Sequence, residues 1–403
     1  MLGNLPHRAR QVRDLLRRDG LVQTCRMIWV RLRHGPGQWS KTDVIGYYEF
    51  LVEKKPLSTQ GVAGAKTMLW VIPDFNIGSG GHLNIFRTIY NLEPKGYVST
   101  ILIVGGTTHV DAKAAKKDIV EHFFPVRAEV IMDGDVLPST EYVVATGWQT
   151  AYHVNRLPAA SKKVYFAQDF EPLFYPAGSE YVFSENTYHF GFYGITAGQW
   201  LADKLSSEYA MQAKSVGFGV DERYKAHRRR EPEIKRVFFY ARPPTARRAF
   251  ELGLVVLDLV HKRLPHVQFV LAGWDTENYR IPFPHLSCGT VGLDDLPDLY
   301  SQCDVALVLS LTNLSLLPLE LMACRCAVVS NRGANVEWLL NDDIAILADL
   351  TPDSLADAVC RALTDDAYRV EMMDRAEQFA STQNWDDVAV AFEAGLVAAR
   401  EAV

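Results

Sequence analysis

Three arginines stand close together in the second half of the chain, directly after an apolar run. Arg242, Arg247 and Arg248 follow the run Arg236–Ala241 (RVFFYA), which has the composition of a buried strand. A guanidinium group stays charged at physiological pH, and its planar fork matches the oxygens of a phosphate. The alternative is three solvated arginines at a helix start, where the helix dipole disfavours cations. We therefore predict that this cluster binds phosphate.

A second polar cluster occupies Ser310–Glu320 (SLTNLSLLPLE), again between an apolar run and a helical pattern. Thr312, Asn313 and Ser315 place hydroxyl, amide and backbone donors at the helix start, where they can hold a diphosphate. Glu320 follows inside an otherwise apolar helix, and a carboxylate there needs a hydrogen-bonding partner. The sequence is equally compatible with two partners for Glu320. One is a pair of sugar hydroxyls, and the other is an arginine from a neighbouring element.

The first half of the chain holds two further candidate segments. Gly78–Gly81 (GSGG) lies between a predicted strand and a predicted helix, where glycine permits close approach and free N–H groups attract anions. A plain tight turn explains this segment equally well. Gln168, Asp169 and Glu171 end another strand among aromatic residues, a mixture that suits a carbohydrate. A structural turn is the alternative there.

Two series of short apolar runs and helical patterns must position these residues. The second series begins after the charged segment Arg223–Lys235 (RYKAHRRREPEIK). The predicted strands are 68–72, 98–104, 130–132, 142–145, 163–167 and 191–195 in the first series, and 236–241, 267–272, 305–309 and 327–330 in the second. Helices are predicted between strands, and mainly helices from 352 to 402. Strands that alternate with helices form parallel sheets, and ligands bind beyond the carboxyl ends of such strands. The sequence therefore predicts an α/β fold with two Rossmann-like halves and a ligand cleft between them.

Composition and charge exclude several classes of protein. At 403 residues the chain is too long for one ordinary core, and 48% apolar with 22% charged residues is typical of globular proteins. The net charge of −6 argues against a chain-wide positive field for nucleic acid. Only Met1–Lys41 is strongly basic, with nine basic residues against two acidic ones. Its amphipathic helical pattern predicts contact with an anionic membrane surface or with the protein's own body.

We expect no metal cofactor. The six cysteines lack C-x-x-C spacing, so we interpret them as reduced thiols of a cytoplasmic protein. Asp133-Gly134-Asp135 imitates a D-x-D metal motif, but it follows a predicted strand and is interpreted as a strand-end turn. No apolar run approaches the ~18 residues of a membrane span.

These segments resemble nucleotide-sugar glycosyltransferases with two Rossmann-like domains (the GT-B fold), and among them the bacterial surface-glycan rhamnosyltransferases of the WsaF type. The resemblance covers about residues 68–340. It rests on GGHLNIFR (80–87), YFAQDFEPLFYPAGSEY (165–181), GFGVD (217–221), YARPPTARRAFELG (240–253) and LTNLSLLPLELMAC (311–324). Two features depart from the wider family. The usual glutamate pair eight positions apart survives only as Glu320, because residue 312 is threonine, and Arg325 replaces the common glycine of A-C-G.

The resemblance implies a retaining, metal-independent transferase that moves a sugar onto a growing O-antigen, capsule or S-layer glycan. The implied donor is dTDP-L-rhamnose or another nucleotide-diphosphate sugar, and the acceptor is lipid-linked or a polysaccharide. By position, Glu320 binds the pentose of the donor, and Arg242 and Arg247 bind the diphosphate. These two arginines and Asp169 are the predicted catalytic residues. The other predicted donor-binding residues are Gly80, Gly81, Asn313, Ser315 and Leu316, and the predicted acceptor-binding residues are His82, Gln168, Asp169 and Glu171.

The implied organisation has four parts. A basic helical extension (1–65) precedes an acceptor domain (66–222) and a donor domain (223–385), and a last helix (386–403) packs back on the acceptor domain. Three alternatives stay open, which are a GDP- or UDP-sugar donor, an epimerase of the same fold and a module without catalytic activity.

Overall fold

The computed structural model describes residues 44–402, so the helices predicted in the basic head lie outside the described residues. The described chain folds around two parallel sheets with helices on both faces, and the predicted α/β fold class is confirmed. We use "first domain" for the part built on the seven-stranded sheet and "second domain" for the part built on the six-stranded sheet.

The first domain contains a sheet in the order β4-β3-β2-β6-β7-β8-β9, and a separate parallel pair β1-β5. The elements to residue 216 are α1 Val44–Tyr47, β1 Thr59–Gln60, β2 Thr67–Pro73, α2 Gly80–Leu92, β3 Val98–Val104, α3 Ala112–His122, β4 Glu129–Met132, β5 Leu137–Pro138, β6 Tyr142–Ala145, α4 Trp148–Asn155, β7 Lys162–Ala167, α5 Ser179–Asn186, β8 Tyr193–Ala197, α6 Gln199–Tyr209 and β9 Ala213–Val216.

The second domain has a sheet in the order β12-β11-β10-β13-β14-β15. Its elements, with the helices that follow, are β10 Arg236–Tyr240, α7 Phe250–Arg263, β11 Gln268–Ala272, β12 His285–Ser287, α8 Leu296–Ser301, β13 Val305–Val308, α9 Leu317–Ala323, β14 Ala327–Asn331, α10 Ala334–Glu337, β15 Ile346–Ala348, α11 Pro352–Thr364, α12 Asp366–Ser381 and α13 Trp385–Glu401. Short 3-10 helices occur at Glu49–Leu51, Glu93–Lys95, Glu171–Phe174, Thr187–His189 and Ala246–Arg248.

Both sheets are covered on two faces, which explains why their central strands are almost entirely apolar. In β2, Met68 and Trp70 belong to the core that includes side chains of α2 and α13, whereas Leu69 and Val71 belong to the core that includes side chains of α4. All four side chains are fully buried. The second sheet has the same alternation, with one core on each face.

The last helix returns to the first domain. In α13, the ring of Phe392 stacks on Trp70 with the ring centroids 5.8 Å apart, and it also contacts Phe166. The chain therefore passes from the first sheet to the second and comes back to the first.

Local pattern predicts the central strands well. The predicted bounds of β3 and β6 coincide with the observed ones. The pattern does not predict β9, β12 or β15, which are edge strands of at most four residues. All three residues of β12 are exposed, so this strand has no buried face to produce an apolar run.

Candidate active site between the two domains

The carboxyl ends of strands from both sheets meet between the domains. In the first domain, β7 leads into Gln168 and β8 ends at Ala197. In the second domain, β13 leads into residues 310–316 (SLTNLSL), which we call the β13–α9 loop. Asn313 of this loop donates from Nδ2 to the backbone oxygen of Gln168 at 3.0 Å and to that of Ala197 at 2.6 Å. This is the region in which parallel sheets bind ligands.

Asp169 is buried at this junction and binds the second domain with both carboxylate oxygens. Its Oδ2 accepts from the Thr312 hydroxyl at 2.7 Å and lies 3.5 Å from Nε of Arg247. Its Oδ1 accepts from the amide of Asn313 at 2.8 Å. Burial raises the pKa of Asp169, while Arg248 and the two hydrogen bonds oppose that rise. Both oxygens of this predicted catalytic residue are therefore hydrogen-bonded within the chain.

Arg242 lies just beyond the carboxyl end of β10 and is partly exposed. Its Nε donates to Oγ1 of Thr245 at 3.1 Å and its Nη1 donates to the hydroxyl of Tyr240 at 3.2 Å. The ring centroid of Trp274 is 5.9 Å from its guanidinium carbon. Within residues 44–402, no carboxylate forms an ion pair with Arg242. Its positive charge is therefore available to an anion.

Arg247 and Arg248 are more buried and face different groups. The guanidinium of Arg247 lies over the ring of Phe174 in the first domain, 4.0 Å from its centroid. Arg248 donates from Nη1 to Oγ of Ser310 at 2.7 Å. Burial lowers the pKa of both arginines, and Asp169 opposes that fall. The cluster predicted from sequence thus extends from the partly exposed Arg242 to the β13–α9 loop, which Arg248 contacts.

A small cavity lies between the ends of β10 and β13. Arg248 and Ser315 line it together with Tyr240 and Leu317. Leu316 is the residue at which α9 begins, and it is partly buried. Of the predicted donor-binding residues, Ser315 thus lines a cavity together with an arginine of the cluster.

Glu320 lies in the first turn of α9, at a second contact between the domains. Burial raises its pKa to about 7, and a hydrogen bond from Tyr224 opposes that rise. Arg87 from α2 and Asp221 act on it electrostatically, and Nη2 of Arg87 is 2.6 Å from Oδ2 of Asp221. The hydrogen bond to this carboxylate therefore comes from Tyr224, and Arg87, an arginine from a neighbouring element, acts on it only through its charge.

The glycine loop begins α2 beside Gln168. Gly80 and Gly81 are the first residues of the helix, and Nε2 of Gln168 donates to the backbone oxygen of Gly81 at 3.1 Å. Both ring nitrogens of His82 are hydrogen-bonded, Nδ1 to the Ser79 hydroxyl at 2.8 Å and Nε2 to a backbone oxygen. Burial lowers the pKa of His82, which favours the neutral imidazole at pH 7. Gln168 and His82, two predicted acceptor residues, both contact this loop.

Glu171 is buried within the first domain. Its Oε2 accepts from the amide of Trp148 at 2.8 Å, at the start of α4, and its Oε1 accepts from the Tyr165 hydroxyl at 3.2 Å. Burial raises its pKa to about 7. The structure thus places this predicted acceptor residue at the start of α4, and both of its carboxylate oxygens accept hydrogen bonds from the protein.

The structure brings Asp169, Arg247 and Asn313 into one cluster and places Glu320 in another with Arg87. Arg87 has no role predicted from the sequence, and Thr312 is predicted there as a donor to a diphosphate rather than as the partner of Asp169. A signal for Arg87 was present, because a charged residue within the apolar helix GGHLNIFRTIYNL needs a partner when it is buried. The signal for Thr312 was absent, since its partner is 143 residues away.

Two further features concern metals and membranes. Asp133-Gly134-Asp135 forms a turn after β4, in which the Asp135 carboxylate accepts from the amide of Met132 at 2.8 Å. Between residues 44 and 402, no group of three or more metal-ligating side chains is found. No helix in this part of the chain has both the length and the apolar composition needed to span a bilayer.

Comparison with known sequences identifies relatives of both the second domain and most of the chain. Residues 235–360 match the family model of the WsaF C-terminal domain. The chain is 35% identical over 333 residues to the O-antigen biosynthesis protein RfbC of Myxococcus xanthus. That alignment covers 80% of this chain and 26% of the relative, so the chain spans about a quarter of the relative's length.

Solved structures share the two-domain architecture at low identity. HepE of Anabaena in complex with UDP-glucose superposes with a TM-score of 0.64 at 15% identity, over 83% of this chain and all of HepE (100%). WaaG, a glycosyltransferase involved in lipopolysaccharide biosynthesis, gives a TM-score of 0.58 at 12% identity, over 82% and 99% of the two chains. Sucrose-phosphate synthase of Thermosynechococcus elongatus gives 0.63 at 12% identity, over 81% and 97%. These structures confirm the GT-B fold implied by the five motifs, and the match at residues 235–360 confirms the similarity to WsaF-type proteins.

Proposed function

We propose that this chain, which has the GT-B fold and resembles the WsaF-type proteins, is a glycosyltransferase of bacterial surface-polysaccharide synthesis. The specific reaction we propose is transfer of L-rhamnose from dTDP-L-rhamnose, with retention, to a lipid-linked or polysaccharide acceptor. The family match at 235–360 and the similarity to an O-antigen biosynthesis protein support the class of reaction. The rhamnosyl donor rests on the resemblance of the sequence motifs.

The observation that carries the proposal is the arginine cluster at the carboxyl end of β10. Arg242 has no carboxylate partner among the described residues, and Arg248 reaches the cavity that Ser315 also lines. We propose that the diphosphate binds at Arg242, whose guanidinium fork matches phosphate oxygens, and that Arg247 and Arg248 add positive charge beside it. We propose that these groups stabilise the negative charge that grows on the departing diphosphate, as preorganised donors do in other enzymes.

The proposed mechanism needs no separate general base. The acceptor hydroxyl attacks the anomeric carbon on the face that the diphosphate leaves, and its proton passes to the departing phosphate oxygen. The carboxylates of Asp169 and Glu171 are both hydrogen-bonded to protein groups, which supports a route that uses neither as a base.

Other predicted residues are proposed to bind the substrates. Glu320 is proposed to bind the pentose hydroxyls of the donor. Gly80, Gly81 and Gln168 are proposed to face the sugar or the acceptor.

Nucleotide binding is the direct test. Ligands that bind only the folded protein raise its thermal stability by mass action. We expect dTDP to raise the melting temperature, with and without EDTA, and UDP and GDP to have little effect. A shift with UDP alone would replace the rhamnosyl proposal by the second candidate, a UDP-sugar transferase, which is favoured by the UDP-glucose complex of HepE. The absence of any shift would contradict nucleotide-sugar transfer.

Arg242→Ala tests the mechanism. Loss of one preorganised donor lowers turnover by roughly 100-fold or more. We expect that loss in a coupled assay of dTDP-L-rhamnose consumption, and only partial recovery in Arg242→Lys, because lysine lacks the fork. Arg228→Ala is the matched control, since Arg228 is exposed on the linker. Normal turnover in Arg242→Ala would remove this arginine from the mechanism.

The place of action is part of the proposal. We propose a cytoplasmic enzyme that contacts the inner face of the cell membrane through the basic residues of Met1–Lys41, where lipid-linked acceptors are found. The support is the nine-to-two excess of basic residues in this segment.

The epimerase alternative has its own test. Hydrolysis or epimerisation of the donor without an acceptor would favour an epimerase over a transferase.

A further inference from the structure

We infer that Asp169 is a positioning residue, which holds the β13–α9 loop of the second domain in the shape that binds the donor. The donor site is then complete only when the two domains are in contact. This inference rests on the proposed function, and it replaces the catalytic and acceptor-binding roles that the sequence suggested for Asp169.

The loop is held by groups of its own domain and, at Thr312 and Asn313, by the first domain. The Thr312 hydroxyl and the Asn313 amide donate to the two oxygens of Asp169 at 2.7 and 2.8 Å. The Asn313 side chain donates to the backbone oxygens of Gln168 and Ala197. Four hydrogen bonds from two consecutive loop residues thus cross the domain boundary. Thr312 and Asn313 are both almost fully buried, so water does not replace these bonds.

Side chains and backbone of both domains build this contact. Oδ1 of Asn313 accepts from Nε1 of Trp338 at 2.9 Å, which fixes the orientation of the amide. The Trp338 ring also packs on Gly198, which follows β8 and has φ +86. A Cβ atom at Gly198 would lie 2.5 Å from this ring, so only glycine permits the approach.

The loop also contacts the arginines of the cluster. The amide of Leu311 donates to the backbone oxygen of Arg247 at 2.9 Å, and Oγ of Ser310 accepts from Arg248. Oδ2 of Asp169 lies 3.5 Å from Nε of Arg247. A displacement of Asp169 therefore acts on both the loop and the phosphate-binding arginines.

The contact with Asp169 explains the threonine at position 312. A hydroxyl can donate a hydrogen bond to a buried carboxylate. A glutamate at this position would bring a second negative charge against Asp169, which like-charge repulsion disfavours. The residue that departs from the family pattern is thus the residue that the interdomain contact requires.

A matched pair of variants tests the inference. Thr312→Ser keeps the hydroxyl, whereas Thr312→Val removes only the hydroxyl and leaves Oδ2 of Asp169 without that donor. Loss of a hydrogen bond to a buried charged group corresponds to about a tenfold loss of affinity. We expect Thr312→Val to raise the donor KM and the Kd of the nucleotide diphosphate by about that factor, with a smaller change in kcat. Thr312→Ser is expected to restore wild-type values.

Hydrogen exchange without ligand gives a readout that does not depend on activity. We expect peptides that cover residues 310–316 to exchange faster in Thr312→Val and Asp169→Ala than in the wild type and Thr312→Ser. Unchanged exchange in both variants would overturn the inference, and so would faster exchange with unchanged nucleotide affinity. If the wild type binds no nucleotide diphosphate, the proposed function fails, and exchange alone decides whether Asp169 holds the loop.

Discussion

At the scale of single residues, two buried carboxylates only two positions apart bind different domains. Asp169 binds the second domain, whereas Glu171 binds the start of α4 in its own domain. Burial raises the pKa of both. A carboxyl group whose pKa is higher in the folded state binds its proton more tightly there, so its contribution to stability is largest below its unfolded pKa and is lost as the pH rises through the folded value.

Glu171→Gln should reduce the pH dependence of stability. The pKa of Glu171 rises from 4.5 to about 7 on folding, so the free energy of unfolding of the wild type should fall as the pH rises from about 5 to 7. A glutamine amide has no proton to lose, and the slope should decrease by on the order of 1 kcal/mol per pH unit. Urea unfolding at several pH values measures this slope. Glu121→Gln, on the exposed face of α3, is the control and should leave the slope of the free energy of unfolding against pH unchanged. An unaltered slope in Glu171→Gln would contradict the prediction.

At the scale of elements, close approach between helices and sheets depends on small residues at defined positions. Gly253 lies in α7 where the helix crosses β10, and a Cβ atom there would lie 2.0 Å from the ring of Phe239. Phe239 is itself buried and stacks on Phe250. The arginine cluster lies between β10 and α7, so this packing sets the position of the cluster relative to the sheet.

Gly253→Ala should destabilise the second domain. Alanine has the better helix propensity by about 1 kcal/mol, but the clash forces Phe239 out of a packed core, which typically costs about 1–3 kcal/mol. We expect the overpacking to outweigh the propensity, with a lower midpoint of thermal unfolding. Gly106→Ala is the control, because no atom lies within 4 Å of the added methyl group. Equal stability of the two variants would show that the core around Phe239 adapts to the added methyl group.

At the scale of the whole molecule, the last helix packs the C-terminal end of the described chain against the first domain. Helix α13 follows the second domain in sequence but completes the core of the first sheet. Trp385, at its start, lies over the guanidinium of Arg87 at 3.9 Å. The two domains are thus connected by the linker, by α13 and by the Asp169 contact.

Phe392→Ala should weaken the first domain although the residue lies at the far end of the chain. Removal of a buried phenylalanine side chain costs roughly 3–5 kcal/mol. We expect faster hydrogen exchange in β2 and β7, whose Trp70 and Phe166 contact this ring. Val390→Ala is the control, since Val390 is 55% exposed on the same helix. Protection of β2 and β7 equal to that of the control would contradict this role of α13.

The alternation of apolar runs and helical patterns by itself determined the α/β class, the charged linker and the central strands, because these depend on residues close together in the chain. It also placed the arginine cluster and the β13–α9 loop at strand ends. Only the tertiary structure decided which strand ends face each other. The partners of Asp169 are 143 and 144 residues away, and those of Glu320 come partly from α2. Glu171 is only two residues from Asp169 but binds the start of α4 in its own domain. Long-range packing sets burial and hydrogen-bond partners, and no local pattern records it.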